Sequence, residues 1–363
     1  CYIHGTSTGN IRRGLSFQVA NGTVVDSYIS ECHEIGADSQ ALACWNGPGP
    51  FLIQNNELQG AAENVLFGGA DPGITDLVPS DITIRGNHFF KPLTWYVNDP
   101  SYAGIDWVIK NSFELKNASR VLFTGNIVEN CWADAQVGFA VLLTPRNQNG
   151  GAAWSVVRDV TIKHNILRNS ASGVNLQNTD DLSTSLAVSC VRIQHNLFDN
   201  INRVVFGGNG RLFQLLDGGE SLTAQRVTID HNTCLHVNGG NSFATVGDQG
   251  TVINDFTWTN NLMTRGDFGF KGGGTGEGTV ALDLYFTNYT FTNNVIISAP
   301  TTSYPSANYF PATITDVQFV DYVNKDYHLA AGTPWKNGAS DGTDIGADID
   351  AVNDATATAL TGS

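Results

Sequence analysis

Positive charge is what this chain has least of. Lysine and arginine number 19 in 363 residues, against 34 acidic residues, so the formal net charge is −15 and the isoelectric point is near 4.7. A protein this acidic is a poor partner for nucleic acid, which is bound through basic patches. It also repels an acidic polysaccharide unless cations or a local basic patch intervene. Charged residues of both signs reach only 15%, while glycine stands at 39, a balance that suits strands and turns rather than helices. No apolar run approaches the length of a membrane span. Zinc-type cysteine spacing is missing: Cys1, Cys32, Cys44, Cys131, Cys190 and Cys234 follow no metal pattern. Reduced, structural thiols are the expectation, because buried cysteine behaves as a small hydrophobe. Cysteine usage therefore leaves the compartment open.

What the chain does have is one unit written eight times: FLIQNNEL (51–58), ITIRGNHF (82–89), VLFTGNIV (121–128), VTIKHNIL (160–167), VRIQHNLF (191–198), VTIDHNTC (227–234), FTWTNNLM (256–263) and YTFTNNVI (289–296). The pattern is apolar, x, apolar, x, Gly/His/Asn, Asn, x, apolar. Its asparagines, at 56, 87, 126, 165, 196, 232, 261 and 294, differ by 31, 39, 39, 31, 36, 29 and 33. A period in this range marks a stacked repeat architecture. Alternating apolar residues are a half-buried strand, with Ile162 inward and Thr161 and Lys163 outward. The Asn marks the bend, where its side chain bonds nearby backbone. Stacked turns align these amides into a ladder that satisfies each buried amide from above and below. Because the pattern returns in the same direction once per coil, the strands are parallel and each coil touches only its neighbours. A β-propeller has a similar period, but each blade needs several antiparallel hairpins, which this unit does not supply.

On these residues the chain resembles the right-handed parallel β-helix of the pectate-lyase-like superfamily, over roughly residues 15–350. The resemblance implies an all-β solenoid of about ten coils and a secreted, cell-surface or periplasmic bacterial protein. It is weak for activity, since the same fold carries lyases, hydrolases, adhesins and fibre proteins.

In chain order, a degenerate first coil occupies residues 1–30, with Ser27 in the Asn position. The chain opens without an initiator methionine on Cys1-Tyr-Ile-His; a leader removed by processing, or coils preceding Cys1, is the expectation. Each coil has a second strand, expected at 40–44, 64–67, 112–116, 139–143, 173–177, 212–216, 242–246 and 268–271. Long Gly/Pro/Asn/Asp loops follow it at 68–75, 146–151, 178–182 and 272–278. An insertion over 91–110, carrying Trp95, Tyr96, Tyr102 and Trp107, is expected to wall one edge of the strip these strands present. Residues 317–350 read as a closing coil, so the β-helix domain is assigned to 1–350 and a cap or tail to 351–363.

Alternation sends Glu114, Lys116, Asn175 and Gln177 outward on that strip. The resemblance implies lyase-type β-elimination on a uronate-containing polysaccharide as the first activity. That chemistry needs a base and something to neutralise the sugar carboxylate. Lys116 or Lys110 is the candidate base and Arg146 the neutraliser, with Glu114 and Asp134 beside them. Ca²⁺ held by Glu63 and Asp71 is the alternative neutraliser. Trp45, Trp95 and Trp107 are candidate sugar platforms; Gln40, Gln136, Gln148, Asn175 and Gln177 are candidate hydroxyl partners. Glycoside hydrolysis is the first alternative, using Glu63, Asp71, Glu114 and Asp134, which needs two carboxyl groups flanking the scissile bond. The second alternative is a non-catalytic glycan-binding, surface or fibre protein, an oligomer in that case. Neither the paired-Asp motif of the hydrolases nor the clustered-Arg motif of the lyases is present. Trp258 falls in an inward slot. His164, His195 and His231 recur before the ladder Asn and read as stacked turn residues. Gly207-Gly-Asn-Gly and Gly272-Gly-Gly lack the strand-to-helix context of a phosphate loop.

Overall fold

The computed structural model describes residues 1–219, 222–247 and 253–360. Three long parallel sheets make up almost all of it. One, the entry sheet, holds nine strands that lead into the turns, from Gly22–Val25 to Phe286–Thr292. A second, the exit sheet, holds ten strands that leave the turns, from Tyr2–His4 to Val295–Ile297. The third holds nine, from Arg13–Ser16 to Phe270–Gly272. Neighbours in each sheet are every third strand of the sequence, so the chain coils through all three walls in turn. This is the expected parallel β-helix, with the right-handed sense that parallel crossovers take. Among the described residues no helix is long and apolar enough to cross a membrane.

The interior is built from rows of aligned side chains. Ile84, Phe123, Ile162, Ile193, Ile229, Trp258 and Phe291 stack on the entry wall. Leu58, Phe89, Val128, Leu167, Phe198, Cys234, Met263 and Ile296 stack on the exit wall. All are buried, and each large side chain contributes roughly 1.5–3 kcal/mol of transfer free energy.

The Asn ladder is present, and longer than the repeats suggest. Asn126 Oδ1 accepts the backbone N–H of Asn87 at 3.0 Å and its Nδ2–H at 2.9 Å. Asn126 Nδ2 donates to Asn165 Oδ1 at 3.1 Å and to Ile84 O at 3.0 Å. A ninth rung is Asn308, which accepts from Asn294 N and Nδ2 at 3.0 and 2.9 Å. It escapes the sequence pattern because it sits in a loop, not between two strands. At the other end the N–H of Ser27 donates to Asn56 Oδ1 at 3.0 Å. In all eight repeats the residue before the ladder Asn is left-handed, with φ 53° at His164 and 66° at Gly125. That is why only Gly, His and Asn fill the slot. His195 and His231 stack at 4.8 Å. Six residues before seven of the ladder asparagines, from Asn87 to Asn294, runs a second left-handed column of Asp81, Arg120, Asp159, Cys190, Arg226, Asp255 and Asn288. Arg120 grips Asp81 there at 2.6 and 2.8 Å.

The closing coil expected over 317–350 takes another course. Phe319–Asp321 and Asp326–Leu329 pair antiparallel, and their neighbours cover the outer face of the exit sheet. Leu197, Leu235, Leu262 and Val295 there meet Val317, Tyr327, Leu329, Ile345, Ile349 and Val352. The chain then runs back over the turns: Gly346 N donates to Asn260 O at 2.8 Å, and Ala347 N to Thr233 Oγ1 at 3.0 Å. Helix Ile349–Thr356 ends against Gly125. The last core layer is closed by helix Thr279–Tyr285 and by Tyr304 and Phe310. Residues 361–363 of the expected tail lie outside the described residues.

Candidate functional site

The third sheet carries the strip expected from alternation. Its outward row runs Leu66, Glu114, Leu142, Asn175, Gln214 and Thr245, one residue per coil. The inward row beside it is Val65, Phe113, Val141, Val174 and Phe213. The loops after strands Phe139–Leu143 and Ser172–Gln177 rise beside this face and make it a cleft of about 370 Å³. Glu114, Lys116, Gln136, Arg146, Gln148, Asn175 and Gln177 all line it, with Thr144, Asn147 and Asp180.

At one end of the cleft Glu114 is almost wholly buried, with Lys116 Nζ 3.6 Å from Oε1 and Asn111 Nδ2 donating to Oε2 at 3.3 Å. Behind it lies Glu63, with no exposed surface. A bulge places it there: the N–H groups of Asn64 and Val65 both donate to Ser112 O, at 2.9 and 3.1 Å. Asn64 then turns in to bond Leu58 O and Phe90 O, and Glu63 returns to the outer side with Glu114. Gln40 Nε2 donates to Glu63 Oε2 at 2.7 Å, while Oε1 has no partner. Burial first, then the carboxylates of Glu114 and Asp38, push the Glu63 carboxyl up to about 8.

Several expectations need correction. Lys110, a candidate base, is held in an ion pair with Asp38. Burial alone favours losing its proton, but Asp38 at 2.5 Å, with Glu63 and Glu114, outweighs that and holds it above the usual lysine range. Arg146 is not a free neutraliser, because it donates to Asp180 at 2.7 Å and also to Asp181. Trp95 and Trp107 are not sugar platforms. Both are buried with Tyr96, Trp132 and Phe206, and Trp107 stacks on His33 at 3.7 Å. Their cluster underlies the 91–110 insertion at the corner before the third sheet. Lys91 pins that corner with bonds to Gly60 O, Ala61 O and Ala62 O at 2.6, 2.9 and 3.3 Å. Gln40 is buried against Glu63 and does not reach the cleft. Asp134 is exposed outside the cleft and accepts from Ile109 N at 3.0 Å. Asp71 is likewise taken, by the N–H groups of Asn149 and Gly151 at 3.1 and 2.9 Å. Among the described residues no three His, Cys, Asp or Glu side chains gather as a metal would need. Trp45 is half-buried, with the Arg13 guanidinium 5.0 Å over its ring.

Sequence reasoning passed over Asp180. Its carboxylate lines the cleft and accepts from Arg146, from Asn147 N at 2.7 Å and from Leu182 N at 2.9 Å. The available signal was its place in the loop directly after the outward Gln177. Comparison of this sequence with protein-family models and with curated proteins found no match to either.

Proposed function

We propose that this chain binds a polysaccharide in the cleft of the third sheet and cleaves it, as an exported β-helix protein of the pectate-lyase-like kind its repeats resemble. One observation carries the reading. A walled groove brings an ion-paired carboxyl, Glu114, beside amides from the next two coils, Gln136, Asn175 and Gln177. Amides bond sugar hydroxyls, and a rigid sheet holds them at a fixed spacing.

Hydrolysis suits the groups better than elimination. Elimination on a uronate asks for uncommitted positive charge to meet the sugar carboxylate. Here Arg146 is committed to Asp180 and Asp181, and Lys110 to Asp38. A neutral glycan escapes the repulsion of a chain whose net charge is −15. In the hydrolytic reading Glu114 protonates the leaving glycosidic oxygen. Asp180, which accepts from Arg146 and from the N–H groups of Asn147 and Leu182, takes a proton from the attacking water. Lys116 is the observation that keeps β-elimination as the second reading. It lines the cleft with 14% of its side chain exposed and meets an acid only at 3.6 Å.

The test is a panel of neutral and uronate polysaccharides, followed by reducing-end release and by ultraviolet absorbance of the unsaturated product. New reducing ends from a neutral glycan, reduced about 100-fold or more by Glu114→Gln, are expected for loss of a general acid. Absorbance that depends on Lys116 would move the assignment to elimination. No cleavage of any glycan would leave a binding or rod-like surface protein.

A further inference from the structure

We infer that Asn175 and Gln177 present a donor and an acceptor to the cleft in fixed order, and that this pair selects a sugar carrying an acetamido group. The inference rests on the reading of the cleft as a glycan site and names the substituent that the site reads.

A relay of hydrogen bonds sets the order at Asn175. A guanidinium can only donate, so Arg211 Nη1, which bonds Gln214, must meet its oxygen, Oε1. Gln214 is then left to donate from Nε2 to Asn175 Oδ1, at 3.0 Å. The two amides face each other on adjacent strands and are buried. With Oδ1 taken, Asn175 offers the cleft its N–H groups. Its neighbour on the other side is Leu142, whose side chain has no acceptor. Among the described residues Asn175 Nδ2 has no hydrogen-bond partner. Gln177 is fixed the other way. A carbonyl can only accept, so the group on Thr179 O at 2.8 Å is Nε2–H, and Oε1 is left for the cleft. Both side chains line the cleft from one strand, Ser172–Gln177. Two residues apart, they stand on the same face about 6.6 Å from each other.

Fixed order makes the pair selective, because each half rejects a class of group. A carboxylate or sulfate only accepts, and meets lone pairs at Gln177. An ammonium only donates, and meets N–H groups at Asn175. One hydroxyl is too short to bond both across that span. An acetamido group carries C=O and N–H on opposite edges of one small plane. Lying between the two side chains, it accepts from Asn175 and donates to Gln177, and it brings no charge to an acidic protein. A ligand that leaves either half unpaired forfeits a hydrogen bond in a partly buried site. Glu114, Leu142 and Asn175 follow one another in the outward row, so the acetamido sugar sits two coils, ~10 Å, from the Glu114 strand.

The test is an NMR titration of the intact protein, read at the side-chain amide signals of Asn175 and Gln177. The probes are N-acetylglucosamine, N-acetylgalactosamine and N-acetylmannosamine, each beside its parent hexose and its free hexosamine. At least one N-acetyl sugar is expected to shift both signals with a dissociation constant about tenfold or more below those of its hexose and hexosamine. Asn175→Asp keeps the oxygen that accepts from Gln214 and turns the donor facing the cleft into an acceptor. Gln214→Glu removes the N–H that holds Asn175 Oδ1 and lets the Asn175 amide turn over. Each variant, followed at Gln177 and checked for its fold by circular dichroism, should lose the preference. No binding of any N-acetyl sugar, or binding no tighter than its hexose, overturns the proposal. So does a preference that survives in both variants. Acetamido binding without cleavage of any glycan would keep the pair and sink the catalytic reading; cleavage with no acetamido preference would do the reverse.

Discussion

Arg146 donates to Asp180 at 2.7 Å and so clips the loop after one strand of the third sheet to the loop after the next. Asp180 is 2% exposed and Asp181, the second partner, 51%. Removing one member of a buried pair strands the other, whereas exposed pairs contribute little. Asp180→Asn should therefore cost roughly 2–3 kcal/mol and Asp181→Asn close to nothing. Urea unfolding of the two variants checks this, and equal losses would sink the distinction.

The ladder should be least forgiving in its middle. Asn165 Oδ1 accepts two bonds from Asn126, and its Nδ2 reaches Phe123 O, Lys163 O and Asn196 Oδ1. Asn165→Ala leaves several buried groups without partners at ~1–3 kcal/mol each, so a loss of about 3 kcal/mol or more is expected. Asn165→Asp should be no better, because it supplies no N–H. A midpoint within error of the parent would show that the amides only follow the stack.

Acid should loosen the exit sheet through Glu129. Burial would raise its carboxyl, but hydrogen bonds from His88 and Arg168 outweigh that and hold it near 2. A folded value below the unfolded one gives stability that is present above about 4.5 and lost as pH falls toward 2. The contribution is of the order of 3 kcal/mol. Glu129→Gln should flatten the pH dependence of unfolding in that window. His88 is shifted the other way: its burial is outweighed by Glu129 and Glu57, and its contribution fades as pH rises past its raised value.

Thiol chemistry should divide the cysteines. All six are free. Cys32, Cys44, Cys131 and Cys234 are buried, and burial pushes the first two up to about 12. Cys1 is exposed and Cys190 half-buried beside Arg226, whose Nε and Nη2 lie 3.2 and 3.1 Å from its sulfur. An aromatic disulfide reagent should label two thiols quickly in the native protein and the rest only on unfolding. Rapid labelling of a third would contradict the packing of the core.

Much of the fold was legible because it is periodic. The step between ladder asparagines set the coil, and the alternation around Ile162 or Phe123 set the wall. The second strands expected at 40–44, 139–143 and 242–246 are the observed Gln40–Cys44, Phe139–Leu143 and Ser242–Val246. Reading the site went less far. Outward alternation identified Glu114, Lys116, Asn175 and Gln177 as cleft residues, since one period-2 strand decides their direction. It misjudged Trp95 and Trp107, because an irregular insertion has no period from which burial follows.

The sequence by itself determined the coil, the direction of its strands, the ladder and the face on which a cleft forms, since each depends only on contacts repeated between neighbouring coils. Tertiary structure alone decided the rest. It buried Glu63 behind Glu114, matched Arg146 to Asp180 and Lys110 to Asp38, and folded the C-terminal segment back over the turns. These pairings span 34 to 72 residues where ions meet and 114 where Ala347 meets Thr233. No local pattern encodes them, because charge and burial are set by whatever the stack and its loops bring alongside.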